Sequence, residues 1–166
     1  MSKTLILIRH AHRDTSQREL DNGLDDKGRE QAKGIRRFFI DRFQTEDFRR
    51  GLWFVSSPKR RCLETLLPTA RGLDRPIDAH PDLDEQSTRE STAAFAARIE
   101  RFLQEWRQAK PDITVLCSHG DWLPRACELL LRHTPDFKKG SWLELECESD
   151  SSVLKWFVPT FRPFYR

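Results

Sequence analysis

The chain has 166 residues, 37% of them hydrophobic and 33% charged, with a formal net charge of +3 at pH 7. That length and balance describe a single globular domain able to bury a core, and they exclude a disordered or fibrous chain. No apolar run approaches the length needed to cross a bilayer, and Leu5–Ile8 is too short for a signal-peptide core, so the cytoplasm is the expected location and no membrane partner is expected. The four cysteines, Cys62, Cys117, Cys127 and Cys147, form no CxxC pair and are read as reduced packing residues. The mild positive charge suits an anionic small substrate and is weak evidence for nucleic-acid binding, so no nucleic-acid partner is expected. Arg36-Arg37, Arg49-Arg50 and Arg60-Arg61 are short basic pieces, most of them read as solvated faces.

Thr4-Leu5-Ile6-Leu7-Ile8 is an apolar, β-branched run of the kind found in fully buried strands, and it ends in Arg9-His10. Arg grips anionic oxygens in a fork and His acts as nucleophile or proton carrier, so the pair suggests phosphate chemistry; taken alone it also fits a surface loop. The polar segment Ala11–Gly23 reads as a loop. Asp25 or Asp26 then caps a helix to about Phe43, with Ala32, Ile35, Phe39 and Phe43 on one face. Leu52–Val55 is a second buried strand, followed by Ser56-Ser57-Pro58-Lys59-Arg60-Arg61 and a helix to about Leu73 that Pro68 is expected to kink. A short strand near Ile77 leads into the acidic loop Asp82-Leu83-Asp84-Glu85. Phe95, Ile99, Phe102, Leu103 and Trp106 mark an amphipathic helix over about Thr92–Ala109, closed by Pro111. Ile113–Cys117 is a third buried strand, followed by Ser118-His119-Gly120-Asp121 and a helix from about Trp122 to Arg132. Trp142–Glu146 and Val153–Val158 are two strands joined by the turn Glu148–Ser151.

Strands alternating with helices predict an α/β fold, a three-layer α/β/α sandwich with a mostly parallel central sheet. Arg9-His10, Ser57–Arg61 and Ser118-His119 each follow a buried strand. If those strands are parallel, all three groups emerge on one sheet edge, where α/β folds bind ligands. Two histidines and at least two arginines then converge in one crevice.

Four segments resemble the histidine phosphatase superfamily, the phosphoglycerate mutase-like fold. Leu7-Ile8-Arg9-His10-Ala11 resembles its Arg-His-Gly signature, and Leu24-Asp25-Asp26-Lys27-Gly28-Arg29-Glu30-Gln31-Ala32 its Leu-Thr-x-x-Gly-x-x-Gln-Ala helix start. Ser57-Pro58-Lys59-Arg60-Arg61-Cys62-Leu63-Glu64-Thr65 is similar to Ser-Pro-x-x-Arg-Ala-x-Gln-Thr, and Val115–Gly120 to Val-x-Ser-His-Gly. The matches fall in family order, and the length resembles small bacterial members, some of them phosphohistidine phosphatases. The resemblance implies His10 as nucleophile of a phosphohistidine intermediate, Arg9 and Arg61 as phosphoryl clamps and His119 as a further donor. It implies no cofactor and no metal. Ser57 and Arg13 are further candidate phosphate contacts, Arg13 because Arg9-His10-Ala11-His12-Arg13 also resembles the start of the acid phosphatase branch. His12 is read as a rim residue and Trp122 as a cleft residue.

Three departures stand out. Ala11 occupies the place of a usual Gly, where a methyl group restricts the backbone. Cys62 and Glu64 replace Ala and Gln and are read as packing or surface differences. The general acid is Glu85 by the family's spacing, with Asp84 and Asp121 as alternatives. Cys117, His119 and Asp121 alternate like metal ligands, but a metal site needs more convergent donors. His80 and His133 are read as surface residues, and the aromatic tail Phe161–Tyr165 as docking on its own domain or on a partner. The expected function is a phosphatase acting on a phosphorylated small molecule or on protein phosphohistidine. The alternative is a module that binds a phosphate ligand or phosphoprotein without turnover.

Overall fold

The structure, a computed structural model, describes residues 2–43 and 51–162, so Arg49-Arg50 and residues 163–166 of the tail lie outside the described residues. Among the described residues six strands form one sheet: β1 (Lys3–Arg9), β2 (Leu52–Ser56), β3 (Ile77–Ala79), β4 (Ile113–Ser118), β5 (Trp142–Cys147) and β6 (Ser152–Val158). Their order is β3-β2-β4-β1-β5-β6. β1 to β4 run parallel, while β5 pairs antiparallel with both β1 and β6. The helices are α1 (Asp26–Arg42), α2 (Arg60–Gly72), α3 (Thr92–Gln108) and α4 (Trp122–Leu131), with a 3₁₀ turn at Pro81–Leu83.

The apolar run of β1 explains the three layers. Side chains along a strand alternate between faces. Leu5 and Leu7 meet Val55 and Leu116 on one face, under Phe95, Ile99, Phe102 and Trp106 of α3 and Leu123 of α4. Ile6 and Ile8 meet Phe54 and Val115 on the other, under Ile35 and Phe39 of α1 and Cys62 and Leu66 of α2. A strand with apolar residues at every position is thus buried from both sides, each such side chain contributing about 1.5–3 kcal/mol. Among the described residues no helix is long and apolar enough to cross a membrane.

Local chemistry sets the helix ends. The Asp25 side chain accepts from Gly28 N at 2.8 Å and caps α1. Gly28 is there because the loop crosses it: a Cβ would lie 1.9 Å from the His12 carbonyl oxygen. Ser91 caps α3 by accepting from Ala94 N at 3.1 Å. At the other end of α3, Lys3 Nζ donates to the carbonyls of Trp106, Arg107 and Ala109, a cation set on the negative pole of the helix. α2 runs on through Pro68 to Gly72. Phe161 docks on the chain itself: its ring lies 5.5 Å from that of Phe38, and its N–H donates to Gly140 O at 2.9 Å.

Candidate active site

The sheet register builds the site. Arg9 pairs with Ser118 and Ser56 with Cys117, so β1, β2 and β4 end level with one another. The residue just past each end is His10, Ser57 or His119. His10 N donates to Ser118 O at 3.0 Å and Ser57 N to Cys117 O at 2.9 Å, extending the ladder by one rung. The acidic loop after β3 joins from the side. His80 N bonds Ser56 O at 2.8 Å, and Ser118 Oγ donates to Leu83 O at 2.7 Å. Asp84 and Glu85 follow directly.

His10 is 6% exposed. Its Nδ1 lies 2.8 Å from Ala11 O, a carbonyl that only accepts, so Nδ1 carries the proton and Nε2 keeps its lone pair. Burial lowers its pKa to about 3, helped by the nearby His119, Arg61 and Arg9 charges and opposed by the Ala11 bond. The ring is therefore neutral across the physiological range. Ala11 itself is fully buried, bonds Thr65 Oγ1 through its N–H at 2.9 Å, and is not among the residues with positive φ. The methyl group in place of the usual glycine hydrogen introduces no backbone strain.

His119 is the opposite case. Its ring is 2% exposed, its Nε2–H donates to Ser57 Oγ at 2.7 Å, and Asp84 Oδ1 lies 3.5 Å from the same nitrogen. Burial pulls its pKa down, but the Asp84 carboxylate and the Cys62 sulfur outweigh it and raise it to about 9. Asp84 is in turn held below the ordinary carboxylate range: burial raises it, and His119, the Glu85 N–H and Lys59 more than offset that. The His119 imidazolium turns Nδ1–H toward Arg61 Nη2, 3.2 Å away. Two donors at that separation call for an acceptor between them. Glu85 Oε2 supplies one, 2.8 Å from Arg61 and 3.9 Å from His119 Nδ1, and a phosphoryl oxygen is an acceptor of the same kind.

Arg61 is 3% exposed in the first turn of α2, whereas Arg60 points outward to Glu64. Arg9 donates to Phe137 O at 2.6 Å. It lies so close under Gly120 that a Cβ there would fall 2.7 Å from its Cζ, which is why the residue after His119 has no side chain. The Nε atoms of both Arg9 and Arg61 are buried without an acceptor in the protein. Two guanidinium groups with unused donors, a neutral imidazole and an imidazolium therefore share one crevice. The His10 and His119 ring centres are 5.4 Å apart. Such an arrangement can hold a tetrahedral oxyanion while presenting a nitrogen lone pair to its central atom.

The remaining candidates are placed as follows. Arg13 is half-buried and bridges Leu24, on the flank of the site. Asp121 accepts from Trp122 N and Gln86 N, both at 2.8 Å, so its carboxylate caps α4 and ties down the Glu85 loop. His12 lies against Asp25. Trp122 is not a cleft residue. It is fully buried, donates its indole N–H to Asp82 O at 2.7 Å and stacks edge-on against Phe102, because its position in α4 faces the sheet.

Three contributors escape motif reading. Cys62 is no remote packing residue: its sulfur is 3.6 Å from His119 Nε2. Glu64 is no surface variation either: it accepts from Leu24 N at 2.7 Å and from Arg60 Nε at 2.6 Å, binding the loop before α1 to α2. Asp21, in a polar loop with no sequence signal, receives Arg60 N at 3.1 Å and lies 3.9 Å from Arg61.

The family model of the histidine phosphatase superfamily, branch 1, matches residues 5–89. No curated protein matches the chain in a sequence search. Solved structures match the fold. Mycobacterial hydrolase 1 is 18% identical with a TM-score of 0.77, the alignment covering 97% of this chain and 100% of that one. A mycobacterial glucosyl-3-phosphoglycerate phosphatase is 20% identical with a TM-score of 0.72, covering 92% and 97%. Phosphoserine phosphatase from Entamoeba histolytica, solved with 3-phosphoglyceric acid, is 18% identical with a TM-score of 0.72, covering 93% and 96%.

Proposed function

The chain belongs to branch 1 of the histidine phosphatase superfamily, and on that premise we propose that it hydrolyses a phosphomonoester through a covalent phosphohistidine on His10, without a metal ion. The observation that carries this reading is the state of His10: buried, neutral, its Nδ1–H fixed on Ala11 O, its Nε2 lone pair left for attack.

The steps balance as follows. His10 Nε2 attacks phosphorus in line while the bond to the leaving oxygen breaks. Glu85, the carboxyl group nearest Arg61 at the mouth of the crevice, gives that oxygen its proton. Arg9, Arg61 and the His119 imidazolium hold the equatorial oxygens as their charge grows. Water then attacks the phosphohistidine, Glu85 takes back a proton, and phosphate leaves with the His10 lone pair restored. The cations that another enzyme draws from a metal are side chains here.

A small phosphomonoester is preferred over protein phosphohistidine. Imidazole is a good leaving group and needs little acid, whereas an alkoxide needs a proton from a group placed as Glu85 is. The absence of a positive φ at Ala11 weighs against a binding module without turnover. The test is to mix the protein with a radiolabelled aryl phosphate, quench in alkaline denaturant and map the label. Label on His10, lost in His10→Ala, is expected; stable label on another residue overturns the mechanism.

A further inference from the structure

Glu85, at the mouth of the crevice, stands on irregular backbone. Residues 84–91, between the 3₁₀ turn and α3, belong to no strand or helix. Backbone outside a ladder takes its hydrogen bonds from side chains or water. Glu85 N donates to Asp84 Oδ1 at 2.8 Å. The next peptide unit is gripped at both ends. Its carbonyl, Glu85 O, accepts from Arg98 Nη2 at 3.0 Å, and its N–H, on Gln86, donates to Asp121 Oδ2 at 2.8 Å. A cation on the oxygen and an anion on the hydrogen both match the peptide dipole, and both bonds are charge-assisted. A peptide unit is a rigid plane, so holding the planes on either side of Glu85 fixes its two backbone torsions and the direction of its Cα–Cβ bond.

Arg98 is built for this task in a way that the exposed arginines are not. Its side chain is 12% exposed, against 57% for Arg101, one turn along α3. Arg98 Nε and Nη2 fork both oxygens of Glu90, at 2.6 and 3.0 Å, and Nη1 donates to Asp82 O at 2.7 Å. The guanidinium also lies 4.6 Å over the Phe95 ring. Glu90 stands just before Ser91, the cap of α3. One planar group therefore ties the start, the middle and the end of the acid loop to a helix that Phe95, Ile99 and Phe102 lock into the core. An ammonium, a single point of charge, does not present donors in such a fork. The Asp82 carbonyl also accepts from Trp122 Nε1 at 2.7 Å, so the start of the loop has a second anchor, whereas the Glu85 carbonyl takes its donor from Arg98.

We propose that Arg98 is a positioning residue for the general acid: without touching substrate, it holds the Glu85–Gln86 peptide against Asp121 and keeps the Glu85 carboxyl aimed at the leaving oxygen. The proposal rests on the reading of Glu85 as that acid and extends it to α3, an element that supplies no group to the crevice itself. Arg9, Arg61 and His119 stand on β1, on α2 and at the end of β4, so the grip on the phosphoryl oxygens does not depend on Arg98.

The test compares the full chain with Arg98→Leu, which keeps an apolar stem beside Phe95, on an alkyl phosphate and on p-nitrophenyl phosphate. A misplaced acid is expected to lower kcat/KM for the alkyl ester by about 10–10²-fold. The aryl ester, whose leaving group needs little help from an acid, is expected to stay nearly unchanged. In a Glu85→Gln background the same substitution is expected to change neither rate, because no acid remains to be aimed. An equal loss on both esters, or a further loss in the Glu85→Gln background, overturns the proposal and leaves Arg98 a purely structural role. If Arg98→Leu does not fold by circular dichroism, Glu90→Gln loosens the same guanidinium from its other side and is held to the same two comparisons. Glu85→Gln alone separates the proposal from the reading beneath it. If it shows the alkyl-selective loss and the Arg98 variant does not, the positioning role fails and the acid stands. If it shows none, or if no phosphate ester is turned over, the acid reading fails and takes the positioning role with it.

Discussion

The ends of β1 and β4 are neighbours in the sheet, lie level in register and are followed by the same residue type, yet they hold it in opposite states. At the end of β1, a backbone carbonyl is the hydrogen-bond partner of the His10 ring among the described residues, and burial keeps it neutral to about pH 3. At the end of β4, a carboxylate relayed through Ser57 offsets burial and keeps His119 charged to about pH 9. The difference teaches that the strands deliver the imidazoles but the partner of each ring assigns its task. A carbonyl leaves its imidazole neutral with a free lone pair; a carboxylate keeps its imidazole charged and donating.

The strongest way to break that comparison is to remove the neutral half. His10→Ala is expected to lower kcat by at least about 10⁴, as loss of a nucleophile does, with the variant remaining folded by circular dichroism. Retained turnover would move the nucleophile elsewhere.

Glu85→Gln comes next. Loss of a general acid costs about 10²–10⁴ where the leaving group is poor, so alkyl phosphates suffer and p-nitrophenyl phosphate is nearly spared. An equal loss on both substrates assigns Glu85 to binding instead.

Asp84→Asn sharpens the other half. Without the carboxylate, His119 loses protons more readily, so the alkaline limb of the kcat/KM profile moves down from about pH 9. A limb that stays in place shows that Asp84 does not hold the charge.

Stability follows the same two rings. His119 binds its proton more tightly folded than unfolded. Its contribution is present below the ordinary pKa of about 6.5 and is lost as pH rises through about 9. His10 binds its proton less tightly when folded, so stability falls as pH drops from its ordinary pKa toward about 3. Denaturant midpoints measured across pH are expected to decline on both sides.

The smallest effect is Ala11→Gly. It keeps the carbonyl that orients His10 and costs stability by about 0.4–1 kcal/mol through added freedom of the unfolded chain, with kcat unchanged. A large gain in kcat would mean that the methyl group constrains the pocket after all.

The fold was legible because burial writes itself into sequence. Leu5–Ile8 in β1 and Val115–Cys117 in β4 are unbroken buried apolar runs, and α3 carries its stripe at helical spacing. The centre of the site was legible for a related reason: Arg9, His10 and His119 interrupt apolar strands at their ends. What stayed hidden depends on contacts between distant segments. Trp122 follows the His119 motif, so nearness in sequence suggested the cleft; the helical twist turns it inward onto Phe102. Cys62 and Glu64 read as substitutions of no consequence, and only the approach of α2 to β4 and to the loop before α1 gives them partners. Asp21 and Arg98 carry no local signal, since a charge looks the same in sequence with or without a partner.

The pairing of Thr4 with Ile113 has a consequence in time as well as in space. During synthesis His10 leaves the ribosome well before β4 does, and only β4 gives that histidine a wall, a donor and a buried environment. Closing so long a loop is slow, because entropy is lost before contacts repay it. During refolding, recovery of activity is therefore expected to lag behind helix formation. The crevice between β1 and β4 forms only when those two strands pair, so a partly folded chain without that pairing does not bring His10 and His119 together.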